Sequence, residues 1–127
     1  MYTVVVVEDS LVMHEIYRLA LQDTVFNIVA EAYDGNSAIH VIKNFKPQIL
    51  ILDLVLPGLS GVDVLKRVSE LSPETKTIVV TSVEDQAVLN QVKSLGAIFT
   101  IQKPFKKLQL LDTLVQLALP TTEVKHG

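Results

Sequence analysis

The sequence alternates short apolar runs with amphipathic segments, and this alternation restricts the fold more than any other feature of the chain. Apolar runs bounded by turn signals are typical of strands buried on both faces. The predicted strands are Thr3–Glu8, Asn27–Ala32, Gln48–Asp53, Thr77–Thr81 and Ile98–Gln102. The segments between them carry apolar residues at three- and four-residue spacing, which predicts helices over Leu11–Gln22, Asn36–Asn44, Val62–Leu71 and Glu84–Leu95. We therefore expect an α/β fold with a five-stranded parallel sheet and helices on both faces.

A last helix is predicted after Pro104, and it carries more leucine than one buried face needs. One apolar stripe of this helix contains Leu108, Leu111, Val115 and Ala118. A second set, which we expect to belong to the core, contains Leu110, Leu114 and Leu117. The segment 120–127 is polar and aperiodic, so we expect one domain over residues 1–119 followed by a flexible tail or linker stub.

Composition places the chain among globular proteins. Of its 127 residues, 49% are hydrophobic and 20% are charged, which allows a buried core in a single domain. The net charge of −3, without a basic cluster, argues against direct binding of nucleic acid. No apolar run approaches the roughly 18 residues of a membrane span, no basic segment precedes the first apolar run, and there is no cysteine. We therefore expect a cytoplasmic protein without a membrane segment, disulfides or thiolate metal sites.

Acidic residues stand at the ends of two predicted strands. Asp53 ends the third apolar run, and Glu8-Asp9 follows the first. Open α/β sheets place their ligand sites at the carboxyl ends of the strands. If these two strands are neighbours, three carboxylates converge, and a cation would be needed to neutralise their repulsion. The alternative is that Asp9 or Ser10 only caps the next helix and Asp53 begins a turn.

A hydroxyl and an ammonium group stand at two further strand ends. Thr81 ends the fourth strand and Lys103 follows the fifth. Together with three carboxylates they provide the groups that hold Mg²⁺ and a phosphoryl group. Taken singly, Thr81 could be an ordinary β-branched strand residue, and Lys103 a solvated charge before a helix-starting proline.

This ordered set of motifs resembles the receiver domain of bacterial two-component response regulators, and it is most similar to the single-domain, chemotaxis-type members. The matching motifs are Glu8-Asp9, Asp53 with Leu56-Pro57-Gly58 and Gly61, Thr81-Ser82, and Lys103-Pro104-Phe105. The resemblance covers about residues 3–118, nearly the whole chain. It implies a flavodoxin-like (βα)₅ doubly wound fold with the strand order 2-1-3-4-5.

The resemblance also implies a phosphorylation-controlled signalling switch. Asp53 is then the phosphoacceptor, which attacks a phosphohistidine on a sensor histidine kinase or phosphotransfer protein. Mg²⁺ is the implied cofactor, and its implied ligands are Glu8, Asp9, Asp53 and the backbone carbonyl of Val55. In this family the metal offsets charge on the phosphoryl oxygens and keeps the acceptor carboxylate deprotonated.

Two further roles follow from the same resemblance. Lys103 pairs with the phosphoryl group, and the Lys103-Pro104 peptide bond is cis in this family. Thr81 turns its hydroxyl toward the phosphate and changes the surface of the fourth helix, fifth strand and fifth helix, where an unknown downstream protein binds. We expect a monomer or a phosphorylation-dependent dimer. We do not expect a separate enzymatic activity beyond the chain's own phosphotransfer and slow dephosphorylation.

The sequence departs from the family pattern at the position of the aromatic switch residue. Members usually carry Tyr or Phe three residues before the lysine, whereas this chain has Thr100 there and Phe99 one residue earlier. Either Thr100 is a silent switch position or a bulge moves Phe99 into the role, and we favour the former. Glu8 replaces the more frequent Asp and should keep metal binding.

The sequence also allows predictions for two valines and two histidines. Val55 and Val83 occupy the family positions that flank the path of the attacking water, which predicts slow self-dephosphorylation because neither side chain can orient water. His14 and His40 lie in predicted helices without partner ligands at metal spacing, so we expect ordinary surface or boundary histidines.

Two other functions remain as alternatives. The first is a phospho-independent interaction scaffold with a receiver fold, although such members usually lose an acid, the acceptor or the lysine. The second is a phosphohydrolase of the haloacid dehalogenase type, which needs an Asp two residues after its nucleophile as general acid. Val55 occupies that position, which makes this alternative the weakest.

Overall fold

The architecture is that of a parallel sheet between two layers of helices. A computed structural model describes residues 1–119, and the predicted tail, 120–127, lies outside the described residues. The strands are β1 (Tyr2–Val7), β2 (Phe26–Ala32), β3 (Ile49–Leu52), β4 (Lys76–Thr81) and β5 (Ala97–Gln102). The helices are α1 (Leu11–Leu21), α2 (Gly35–Phe45), α3 (Gly61–Leu71), α4 (Gln86–Ser94) and α5 (Lys107–Ala118).

The sheet has the order β2-β1-β3-β4-β5, and every paired strand is parallel. This confirms the predicted fold class and strand order. β3 is buried along its whole length because both of its faces are covered. Among residues 1–119, no helix is both long and apolar enough to cross a bilayer.

Each face of the sheet has its own apolar core. Side chains of α1 and α5 pack on one face with Val4 and Val6, whereas α2, α3 and α4 pack on the other with Val5 and Val7. The alternation within β1 reflects the two-residue period of a strand. We call these the α1/α5 core and the α4-side core.

Of the two apolar sets of residues on α5, only one packs fully against the sheet. The set that we assigned to the core is confirmed, because Leu110, Leu114 and Leu117 are buried. The other stripe is largely outside, with Leu108 and Val115 exposed. Part of the apolar surface of α5 therefore faces solvent.

Side-chain caps fix where most of the helices begin. Four of the five helices in residues 1–119 start after a residue whose side chain accepts a hydrogen bond from a backbone N–H in the first turn. These capping residues are Ser10, Asp34, Ser60 and Asp85. The alternative role considered for Ser10, a helix cap, is therefore correct, and Asp9 is left available for the acidic cluster described below.

Gly61 lets the start of α3 lie against the end of β3. A Cβ atom at this position would lie 2.1 Å from the carbonyl oxygen of Asp53 and 2.5 Å from Cα of Leu54. The Gly61 amide donates to the Leu54 carbonyl at 2.9 Å. Any side chain here would displace the segment that carries Asp53.

Candidate functional site: an acidic pocket at the carboxyl edge of the sheet

The topology brings the predicted acidic residues together. β1 and β3 are neighbours with Val7 opposite Leu52, so Glu8 and Asp53 are the first residues past two adjacent strand ends. The Asp53 amide donates to the Val7 carbonyl at 3.0 Å and continues the pairing by one step. One carboxylate oxygen from each of Glu8, Asp9 and Asp53 lies within 4.8 Å of the others.

Lys103 supplies the positive charge that faces this cluster. Its Nζ lies 2.5 Å from Oε1 of Glu8 and 2.8 Å from Oδ2 of Asp53. Burial by itself lowers the pKa of Lys103, but the hydrogen bonds to Asp53 and Glu8 outweigh it, so the pKa is raised above its ordinary value. Lys103 is therefore held as a cation, and the simpler interpretation of a solvated charge is wrong.

Glu8 is almost completely buried. Burial raises the pKa of its carboxyl group above the ordinary value, although hydrogen bonds from Lys103 and from the Ser10 amide offset part of this effect. The Ser10 amide donates to Oε2 at 3.0 Å, and Lys103 occupies the other oxygen. A second cation in the pocket would favour the ionised form of Glu8.

The donor set fits a hard divalent cation. Oxygen is the only ligand type in the cluster, two of the three acids are buried, and Asp9 is exposed. Mg²⁺ prefers carboxylate and carbonyl oxygens and usually keeps several waters, which suits a cluster with one exposed acid. The backbone carbonyl of Val55 as a further ligand stays a prediction. The Val55 amide donates to Oδ1 of Asp53 at 3.3 Å.

The family model described as the response regulator receiver domain matches residues 4–115. The chain belongs to this family.

Relatives and solved structures agree with this assignment. The chemotaxis protein CheY of Thermotoga maritima is 27% identical over 111 residues, which are 87% of this chain and 92% of the relative. The response regulator domain of Thermotoga maritima CheB is 25% identical with a TM-score of 0.84, covering 94% and 98% of the two chains. A CheX-CheY-BeF3-Mg complex of Borrelia burgdorferi, 22% identical, has a TM-score of 0.89 over 94% and 90%. It shares the fold.

In this receiver domain, Thr81 is connected to the neighbouring loop. The residue is fully buried at the end of β4, and its hydroxyl accepts a hydrogen bond from the Val83 amide at 3.2 Å. The Lys103 amide donates to the Thr81 carbonyl at 2.9 Å. Thr81 thus lies beside Lys103, with its hydroxyl engaged by the β4–α4 loop.

Gln102 is a further residue of this region that the sequence motifs did not indicate. Its side-chain Nε2 donates to the Val83 carbonyl at 2.7 Å and ties β5 to the β4–α4 loop. Val83 is therefore held from both sides, by Thr81 at its amide and by Gln102 at its carbonyl. A glutamine at the end of a predicted strand matches no motif, so the sequence did not predict this contact.

The prediction for His14 was wrong. His14 is fully buried, with both ring nitrogens in hydrogen bonds, whereas His40 is exposed as expected. Its carboxylate partner Glu31, partly buried on β2, lies 17 residues away in sequence, outside the spacing at which two residues of one helix can meet.

The aromatic residue near the switch position faces away from α4. Phe99 and Ile101 both pack with the α1/α5 core, so strand alternation places Thr100 on the α4 side. A bulge is present at Ile98, because Thr77 pairs with Ala97 and Ile78 pairs with Phe99. The bulge lies between Ala97, which packs on the α4 side, and Phe99, and it places Phe99 on the α1/α5 side. That Thr100 is a silent switch position stays a prediction.

The Lys103-Pro104 bond is cis, as the resemblance implied.

Proposed function

We propose that this receiver domain accepts a phosphoryl group on Asp53 from a phosphohistidine of a sensor histidine kinase or phosphotransfer protein. The observation that carries the proposal is the placement of Lys103 Nζ at 2.8 Å from the Asp53 carboxylate, beside two further acids. A carboxylate oxygen of Asp53 forms the new O–P bond while the N–P bond of the donor breaks. The donor imidazole then keeps the electron pair and takes a proton.

Glu8, Asp9 and Asp53 would hold Mg²⁺, together with the backbone carbonyl of Val55. When bound, Mg²⁺ supplies positive charge that offsets the negative charge of the phosphoryl oxygens. We expect one ion to bind with weak affinity, because the cluster offers one carboxylate oxygen from each of three acids. Lys103 pairs with a phosphoryl oxygen, for which it exchanges one of its present carboxylate contacts.

The signal passes through Thr81 and the loop that follows it. Turning the hydroxyl toward the phosphoryl group breaks its hydrogen bond with the Val83 amide, so the β4–α4 loop must rearrange. The surface affected is that of α4, β5 and α5, where Ile98, Leu108 and Val115 are exposed apolar residues. This surface would bind the downstream protein or a second copy of the chain.

The exposed side of α1 supports a protein as the phosphoryl donor. Four large apolar side chains of this helix are exposed: Leu11, Val12, Ile16 and Leu19. Ile16 also lines an open groove of about 380 Å³ whose other residues include Lys103 and Phe105. An apolar surface that continues to the lysine of the pocket suits a partner that must bring its histidine to Asp53.

The geometry of the pocket gives less support to the two alternative functions. A phospho-independent scaffold does not need two buried carboxylates facing a lysine, an arrangement that costs desolvation energy. An aspartate-based phosphohydrolase needs a general acid where Val55 stands. We further propose that catalysis is limited to the chain's own phosphotransfer and slow dephosphorylation.

Labelling with acetyl phosphate and Mg²⁺ tests the proposal. Asp53→Asn should abolish labelling and keep the fold, because the Asn side chain fills the same space. As a matched control, Asp63→Asn changes an exposed acid on α3 and should label like the parent. Asp9→Ala should weaken Mg²⁺ binding. Mass spectrometry that places the phosphoryl group on Ser10, Ser60 or Ser82 contradicts the proposal, and rapid turnover without an isolable acyl phosphate favours a hydrolase.

A further inference from the structure

His14 is buried between the acidic pocket and β2. The side chain is fully enclosed, with Nε2 at 2.6 Å from the backbone carbonyl oxygen of Glu8 and Nδ1 at 2.7 Å from Oε1 of Glu31. Its ring stacks on Tyr33 with the centroids 4.0 Å apart. The imidazole is therefore fixed in position and orientation by three neighbours.

The direction of the bond to Glu8 follows from the chemistry of its acceptor. A carbonyl oxygen can only accept, so Nε2 of His14 carries a hydrogen and donates it. Nδ1 faces a carboxylate whose other oxygen accepts hydrogen bonds from Arg18 at 3.1 and 2.9 Å. This arrangement anchors the far side of the ring, so the Nε2–H stays aimed at Glu8.

The carbonyl that His14 holds belongs to the peptide group between two members of the acidic cluster. That peptide joins Glu8 to Asp9, and its orientation sets the direction in which both side chains leave the backbone. The Glu8 amide is fixed as well, since it donates to the Ala32 carbonyl at 3.0 Å. His14 thus completes the restraint on this segment at the point where it turns from β1 toward α1.

We propose that His14 is a positioning residue for the metal site, acting through the Glu8–Asp9 peptide so that both carboxylates face Asp53. His14 would not be a metal ligand itself, because its two ring nitrogens are engaged by Glu31 and the Glu8 carbonyl. The proposal rests on the proposed function only in assuming that the three acids bind Mg²⁺. Groups that orient the ligands of a metal typically contribute about 10–100-fold to its affinity.

Two substitutions separate the contact to Glu8 from the contact to Glu31. The amide nitrogen of Gln can take the place of Nε2, so His14→Gln keeps a donor for the Glu8 carbonyl and gives up the contact to Glu31. The amide nitrogen of Asn can take the place of Nδ1, so His14→Asn keeps the contact to Glu31 and leaves the Glu8 carbonyl without its donor. Both variants lose the ring and its stacking on Tyr33, which makes them matched controls for each other.

Isothermal titration of the full chain with Mg²⁺ is the deciding measurement. We expect His14→Asn to bind Mg²⁺ about tenfold more weakly than the parent and His14→Gln to stay close to the parent. Thermal unfolding without metal should show both variants destabilised. If both bind Mg²⁺ as well as the parent does, or if both lose affinity equally, His14 serves only the stability of the fold. If the parent itself binds no Mg²⁺, the proposed metal site fails and this inference fails with it.

A measurement on the unmodified chain avoids any folding defect of the variants. In long-range ¹H–¹⁵N spectra, the Nε2 resonance of His14 should shift as Mg²⁺ fills the site, because its acceptor belongs to the peptide between two ligands. The exposed His40 on α2 is the internal control and should not shift. A His14 resonance that stays unchanged while Mg²⁺ binds would overturn the proposal.

Discussion

The ammonium group of Lys103 lies 2.8 Å from the carboxylate of Asp53, a residue 50 positions earlier in the chain. The same Nζ also contacts Glu8, 95 positions earlier. The ends of β1, β3 and β5 are therefore joined by a single positive charge, and without a metal ion Lys103 balances two buried carboxylates. This contact determines how the pocket should respond to loss of the lysine.

Replacing Lys103 with Met keeps much of the apolar stem and removes the charge. We expect the free energy of unfolding without metal to fall by about 2 kcal/mol, because charged hydrogen bonds to Glu8 and Asp53 are lost. Saturating Mg²⁺ should stabilise the variant more than it stabilises the parent, since the ion replaces the missing charge. Urea unfolding with EDTA or Mg²⁺ measures both effects. Lys106→Met, at an exposed position, is the control, and an equal gain from Mg²⁺ in parent and variant would refute the prediction.

The raised pKa of Glu8 predicts a pH dependence of stability. Burial raises this pKa above 4.5 in the folded state, so between 4.5 and the folded-state value the folded chain binds more protons than the unfolded chain. This group therefore lowers the free energy of unfolding as the pH rises through that interval. In EDTA, Glu8→Gln should remove this contribution, so that stability falls less steeply from pH 4.5 to neutral than in the parent. Identical slopes in urea unfolding would show that Glu8 titrates normally.

The hydrogen bond from Gln102 to the Val83 carbonyl should restrain the β4–α4 loop. Gln102→Leu removes the donor, so we expect amide hydrogen exchange in residues 82–85 to become about tenfold faster, which corresponds to about 1.4 kcal/mol. Gln116→Leu on the exposed side of α5 is the control. Unchanged exchange in the loop would mean that Thr81 and the backbone alone hold it. This measurement requires no phosphorylation.

The lifetime of the acyl phosphate is predicted to depend on Val55 and Val83. Val55 is 56% exposed beside Asp53, whereas Val83 is half-buried against the α4-side core. A polar pair could orient the attacking water, so Val55→Asn/Val83→Glu should shorten the lifetime on the order of tenfold, about 1.4 kcal/mol in the barrier. The assay follows loss of the phosphoryl group from Asp53 over time.

The two single variants show how much each valine contributes to the lifetime of the acyl phosphate. Val55→Asn should cost little stability because its side chain already meets solvent, whereas Val83→Glu places a charge against apolar neighbours. Val25→Asn is a matched control, since Val25 is 54% exposed and lies before β2, away from the pocket. If the double variant loses its phosphoryl group no faster than the parent, these two valines do not set the lifetime.

Local sequence patterns were sufficient for the architecture and for the composition of the pocket. Apolar runs with turn signals identified all five strands to within two residues at each end, and parallel connections then placed Glu8, Asp53 and Lys103 at one edge. This worked because hydrophobic periodicity and strand direction are properties of contiguous residues. The family motifs added the strand order, which the structure confirms.

The tertiary structure decided the contacts of side chains whose surroundings the sequence patterns did not predict. His14 is buried because Glu31 and the Glu8 carbonyl meet its ring from outside its own helix. Phe99 faces the α1/α5 core because a bulge at Ile98 changes the alternation of β5. These outcomes depend on contacts between residues far apart in the chain, whose free energies no local pattern contains. The sequence by itself therefore determined the fold and which acidic residues meet at the carboxyl edge of the sheet. Tertiary packing decided which neighbours hold the residues around that edge in place.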